Sequence, residues 1–333
     1  LPDIPTAAND YGVSYGWLKG YLITTTTPDS STSEFLTPVL LTSWQRGMAT
    51  DADITALARR QFEYSAGVLP KTKPYPRAAD AAVAMVAVLT LVEPQSSGIG
   101  GGGFMVYHNA GDGSISTIDG RETAPAAAKP DRFLGPDGKP RGYMDVIPGG
   151  LSVGVPGNVR LMEMAHKKWG KLEWKALFQP AIKLAEEGYQ VTPALNSWLV
   201  QFEPMWKEFP AARAIYYVDG KPAPVGTTIR NPAYAAILRD IAARGPEAFY
   251  TGANAKAISD AVAKAPRNPS QLTLKDLAAY KAKERPAVCT TYRIYKVCGM
   301  GPPSSGATTV FGILGMLEAY DMKAMGKDNP MSW

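Results

Sequence analysis

The 333-residue chain has little cysteine, little histidine and no long apolar run. Each shortage removes a class of function. The two histidines, His108 and His166, and the two cysteines, Cys289 and Cys298, support neither a metal-ligand pattern nor a Ser-His-Asp arrangement. The longest uncharged apolar run, Ala81–Val92, is shorter than the ~20 residues a membrane span requires. No run of five or more Lys/Arg exists, and charged residues make up 20% with a net charge of +5, so nucleic acid is not an expected partner. The first residues, Leu1-Pro2-Asp3-Ile4-Pro5, lack the basic and apolar regions of a signal peptide.

The chain does hold enough apolar material, 45% of its residues, for a large core. Its texture changes near residue 77. Residues 1–76 read as irregular: a polar tract, Thr24–Ser33, and a linker-like Lys71–Pro76 surround one stretch of helical character, Asp51–Tyr64. Ala78–Val92 is apolar all round and predicts a buried helix. Phe104–His108 and Ser114–Asp119 predict a hairpin with its turn over Asn109–Gly113. Asn158–Trp169 predicts a helix stopped by Gly170, and Pro180 opens another that runs to Gly188. Thr273 with Asp276 has the spacing of a capping box. Val288–Val297 predicts a hairpin, and Gly306–Tyr320 an apolar helix. Helices mixed with hairpins favour a layered α/β (α+β) fold with antiparallel pairing.

A hairpin turning near Tyr292-Arg293 would bring Cys289 close to Cys298. A disulfide is one reading of the pair, and two separate half-buried thiols the other. Gly98, Gly100 and Gly103 satisfy a dinucleotide fingerprint in spacing, and Asp119 follows where a ribose-binding acid would. The order is wrong, because that fingerprint needs a strand before it and a helix after it. The glycines instead predict a tight passage, with positive φ or close packing, between a helix and a strand.

The string Val92–Met105, with Gly98-Ile99-Gly100-Gly101-Gly102-Gly103 inside it, resembles the glycine-rich segment of the gamma-glutamyltransferase large subunit. Ile118-Asp119-Gly120-Arg121-Glu122-Thr123-Ala124-Pro125 is similar to that family's arginine segment. Gly154–Gly157, Leu177–Ala185, Leu277–Tyr280 with Glu284-Arg285, and Pro302–Gly306 match further segments in order. The resemblance implies the large-subunit part of a four-layer αββα N-terminal-nucleophile hydrolase fold over residues 77–333. It implies a self-cleaving precursor whose new N-terminal threonine attacks a γ-glutamyl amide, with glutathione as the expected donor and water or amino acids as acceptors. No cofactor and no metal are expected. The expected partners are the γ-glutamyl substrate and a small subunit from the same precursor. A periplasmic or secreted location follows by analogy.

Arg121 is the residue the resemblance marks for binding the substrate α-carboxylate. A guanidinium can hold a carboxylate by two charge-assisted hydrogen bonds. On the residues alone, Arg121 beside Glu122 also reads as a surface ion pair. His166, next to Lys167 and Lys168, reads as part of a solvated face, and the pairs Ser96-Ser97 and Ser304-Ser305 as structural turns.

The sequence departs from the family in two places. Neither histidine follows a threonine, and the chain ends at Trp333, so the catalytic threonine is expected outside it and the chain alone is expected to be inactive. Residues 1–76 do not match the family's start, which suggests a misread frame or a lineage-specific extension. Two other readings stay open: a cephalosporin or glutaryl-type acylase of the same family, and a non-catalytic remnant or binding subunit.

Overall fold

The computed structural model describes residues 78–109, 111–326 and 328–332. The expectations for residues 1–76, including the helical Asp51–Tyr64, lie outside the described residues.

Helix α1 (Ala78–Val92) runs the length its composition predicts. It does not bury its whole circumference, however. Ala79, Asp80, Val83, Ala87 and Leu91 are buried, and the rest of its surface is half-buried. That spacing of three and four is one helical stripe. The one charge on the stripe, Asp80, accepts hydrogen bonds from the backbone N–H groups of Lys171 (3.0 Å) and Leu172 (3.3 Å). A buried carboxylate is thereby matched to donors, as burial of a charge demands.

Strands β1 (Gly103–Asn109) and β2 (Ser114–Gly120) form the expected hairpin, in register from Gly103↔Gly120 to Asn109↔Ser114. Gly113 takes φ 68° to close its turn. Helix α2 (Asn158–Trp169) lies across β2 and has two apolar faces. Leu161 and Ala165 pack with Ile118 of β2 and with Ala282. Val159 and Met162 turn instead to the main core. The α2 helix therefore joins the sheet to the helical layer.

That layer holds α1, the 3-10 turn Trp174–Phe178, α3 (Gln179–Glu187) and α4 (Pro232–Arg244). Pro180 sits in the first turn of α3, where its missing N–H costs nothing. The capping box at Thr273 is formed: Thr273 and Asp276 exchange side-chain-to-backbone hydrogen bonds and start α5 (Leu274–Ala279). Strand β3 (Lys283–Arg285) then pairs with β2, making it the central strand of three.

Strands β4 (Ala287–Tyr292) and β5 (Tyr295–Met300) form a second hairpin. Its turn is Arg293-Ile294, one residue beyond the sequence expectation, with Arg293 at φ 55°. Cys289 stands opposite Cys298 across the hairpin, and the two sulfurs are joined as a disulfide with Cα atoms 4.1 Å apart. Helix α6 (Gly306–Leu317) ends three residues before Tyr320 and rests on this hairpin, with Ala307 against Gly299.

Two local readings need correction. Gly170 ends α2 at φ −66°, so it is not there for left-handed backbone. It is there for space, because a Cβ would stand 2.3 Å from Cδ2 of His166. His166 itself turns inward from its lysine neighbours. Its side chain is 19% exposed, lies against Trp174 and has Nε2 2.8 Å from the Leu172 carbonyl oxygen. The solvated face belongs to Lys167 and Lys168 alone.

Candidate functional site

The glycine loop, the end of β2 and the start of α2 meet in one place. No glycine from Gly98 to Gly103 has a positive φ. Their requirement is close approach. A Cβ on Gly102 would meet Oε2 of Glu122 and the carbonyl oxygen of Gly120, both at 2.6 Å, and one on Gly103 would meet Oδ1 of Asn158 at 2.9 Å. Gly100 has open space around it.

The loop's polar groups are spoken for. The Gly102 N–H donates to Oε1 of Glu122 at 2.8 Å. The Gly101 carbonyl accepts from the N–H groups of Gly157 (2.9 Å) and Asn158 (3.0 Å), at the N-terminus of α2. Nδ2 of Asn158 donates back to the Gly98 carbonyl at 2.6 Å. A dinucleotide motif would leave that helix terminus for phosphate; here a peptide carbonyl occupies it. Asp119 is likewise engaged, accepting from Nε of Arg285 (2.7 Å) and from the N–H of Arg121 (2.9 Å).

Arg121 follows the last residue of β2, and its backbone is fixed on both sides. Asp119 takes its N–H, and the hydroxyl of Tyr280 donates to its carbonyl at 2.7 Å. The side chain is 58% exposed, with Nε 3.6 Å from Oε2 of Glu122. A pair that long and that exposed contributes little, about 0–1 kcal/mol. The surface ion pair open on sequence grounds is therefore present, and it leaves the guanidinium facing solvent from a rigid base. Such a group can bind a carboxylate without first giving up a strong partner.

The other residues weighed on sequence grounds are not brought here. His108 is exposed on β1, and His166 lies beneath α2 beside Asp80. Ser96 and Ser97 donate their N–H groups to the Glu93 carbonyl in the turn after α1. Oγ of Ser304 accepts from the N–H of Gly306. A shallow, open depression lined by Arg213 and Tyr217 lies elsewhere, on Pro210–Gly220. Among the described residues, no cluster of three or more His, Cys, Asp or Glu could hold a metal, and no helix is long and apolar enough to cross a membrane.

Tyr280 and Arg285 are the residues the sequence did not single out for a role. Both fall in a segment similar to the family's, Leu277–Tyr280 with Glu284-Arg285, and that position was the one available signal.

The mixed helices and antiparallel strands are shared with solved N-terminal-nucleophile hydrolases, and that similarity places the chain in the αββα class. A Helicobacter pylori gamma-glutamyltranspeptidase crystal structure is similar at TM-score 0.73 and 34% identity, over 77% of this chain and 72% of that one. The gamma-glutamyltranspeptidase family model matches residues 76–333, and the chain belongs to that family. The glutathione hydrolase proenzyme of Escherichia coli is 38% identical over 250 residues, 75% of this chain and 42% of the relative. The acylase ACY 1 proenzyme of a Pseudomonas strain is 34% identical, over 75% of this chain and 45% of the relative. The chain thus spans less than half the length of these curated relatives.

Proposed function

We propose that this chain supplies the large-subunit portion of an enzyme that takes the γ-glutamyl group from glutathione or a related γ-glutamyl amide. The acyl group passes through an ester on a threonine and then to water or an amino acid. The threonine, and the groups that stabilise the oxyanion, come from a small subunit of the same precursor. Residues 77–333 form the large-subunit unit, and residues 1–76 a separate N-terminal segment. The reading is supported by the family match over residues 76–333 and by relatives named as proenzymes.

Arg121 carries this reading. Its exposed guanidinium on a pinned backbone suits the α-carboxylate of a γ-glutamyl group. Binding that distant carboxylate fixes where the scissile amide lies, which converts affinity into orientation at the reacting carbonyl. The Cys289–Cys298 disulfide fits a periplasmic or secreted setting.

The full precursor carrying this sequence, matured into two subunits, is expected to release the aniline from a γ-glutamyl anilide. The 333-residue chain alone is expected to release none. Release by the chain alone overturns the placement of the nucleophile. A glutaryl anilide keeps the carboxylate and lacks the α-amino group. If the mature enzyme prefers it, the acylase reading, supported by the ACY 1 similarity, replaces the γ-glutamyl one.

A further inference from the structure

We propose that residues 276–285 are a positioning splint for Arg121, with Tyr280 as its central residue; this rests on reading Arg121 as the carboxylate ligand. Residues 276–285 run antiparallel to residues 117–126 and touch them at both ends and in the middle. Oδ1 of Asp276 accepts from the N–H of Ala126 at 3.0 Å. The Tyr280 hydroxyl donates to the Arg121 carbonyl at 2.7 Å. Nε of Arg285 donates to Oδ2 of Asp119 at 2.7 Å, and Oγ1 of Thr117 donates to the Arg285 carbonyl at 2.6 Å. Between these last contacts β3 pairs with β2, Glu284 opposite Ile118 and Lys283 opposite Asp119.

Arg121 lies just past the strand, where the ladder no longer supplies partners for its backbone. The splint replaces them. Its carbonyl is held by Tyr280 directly, and its N–H through Asp119, which Arg285 holds in turn. Tyr280 cannot easily yield. It is 5% exposed, and its ring stacks on that of Tyr250 at 6.1 Å with the planes 5° apart. The Tyr250 hydroxyl is anchored on the Pro156 carbonyl at 3.0 Å. Gly157 closes the remaining side, since a Cβ there would stand 2.3 Å from the Tyr280 hydroxyl. Burial, with Asp119 and Glu122 nearby, pushes the Tyr280 hydroxyl up to about 12, so it remains a donor at neutral pH.

A brace that only stabilised the fold would change stability and leave substrate discrimination alone. A positioning residue changes how well Arg121 reads a carboxylate. The test uses the mature two-subunit enzyme and compares kcat/KM for a γ-glutamyl anilide with that for a γ-aminobutyryl anilide, which lacks the α-carboxylate. Tyr280→Phe removes one donor and is expected to lower that ratio about 5-fold, mostly through KM of the γ-glutamyl donor. In an Arg121→Gln background it is expected to lower the ratio no further. An unchanged ratio in Tyr280→Phe, with the ratio lost in Arg121→Gln, overturns the splint and keeps the carboxylate reading. An equal effect of Tyr280→Phe in both backgrounds also overturns the splint. A ratio unmoved by Arg121→Gln overturns the carboxylate reading itself. If Tyr280→Phe does not fold, Arg285→Lys is measured instead: a drop of about 2-fold supports the splint, and none overturns it.

Discussion

The segment around Arg121 and helix α6 differ in how far the described residues supply their partners. The first is rich in charge, and yet Asp119, Glu122, Asn158 and Tyr280 all have partners and leave little room around them. The second reads Gly-Ala-Thr-Thr-Val-Phe-Gly-Ile-Leu-Gly-Met-Leu and buries no residue. Ile313 is 47% exposed and Met316 68%, with Tyr320 just beyond at 53%. Apart from the exposed guanidinium of Arg121, these polar groups find their partners within the described residues. The apolar helix has its inner face on the β4–β5 hairpin and its outer face bare, as expected of a surface that the proposed small subunit covers.

Substitutions separate the two regions by size of effect. The largest is expected at Gly157, where a Cβ would stand 2.0 Å from the Gly120 carbonyl oxygen, a backbone atom that cannot swing away. Gly157→Ala should cost about 3 kcal/mol, read as a lowered urea midpoint at unchanged slope. A cost below about 0.5 kcal/mol would show that the junction is looser than described. Next comes Asp119→Ala, which strips the Arg285 guanidinium and the Arg121 N–H of one acceptor together and should cost about 2 kcal/mol. Thr273→Ala removes the cap of α5 and should cost about 1 kcal/mol by the same measurement.

The smallest effect on stability belongs to α6. Met316→Ser should change the unfolding free energy by no more than about 0.5 kcal/mol, because nothing in the described residues covers that side chain. The same substitution should weaken retention of the small subunit in sedimentation of the mature enzyme. A large loss of stability with retention unaffected would mean that α6 is an internal core helix, and the contrast would collapse.

The sequence carried local structure well and the site only in part. The α1 helix, the β1–β2 hairpin and the Thr273 cap depend on residues a few positions apart, so period and spacing expose them. Arg121, the proposed carboxylate ligand, is marked only by its segment's similarity to the family's. The splint was not legible. Tyr280 meets Arg121 across 159 positions and Arg285 meets Asp119 across 166, and no spacing rule reaches that far. The inward turn of His166 was hidden for a similar reason. Its neighbours Lys167 and Lys168 are polar, but Asp80 and Trp174, which draw it inward, come from other elements. The glycine loop was expected as a structural passage, and of the two causes offered, close approach rather than positive φ keeps Gly102 and Gly103 free of side chains.

The central claim is that Arg121 reads the substrate carboxylate, and one comparison tests it directly. In the mature two-subunit enzyme, removing the α-carboxylate from a γ-glutamyl anilide should cost the unaltered protein roughly 100-fold in kcat/KM, as expected for loss of charge-assisted hydrogen bonds. In Arg121→Gln the two substrates should differ by no more than a few-fold, with the urea midpoint unchanged. A variant that folds and still discriminates roughly 100-fold would contradict the account, because the carboxylate would then be held by another residue.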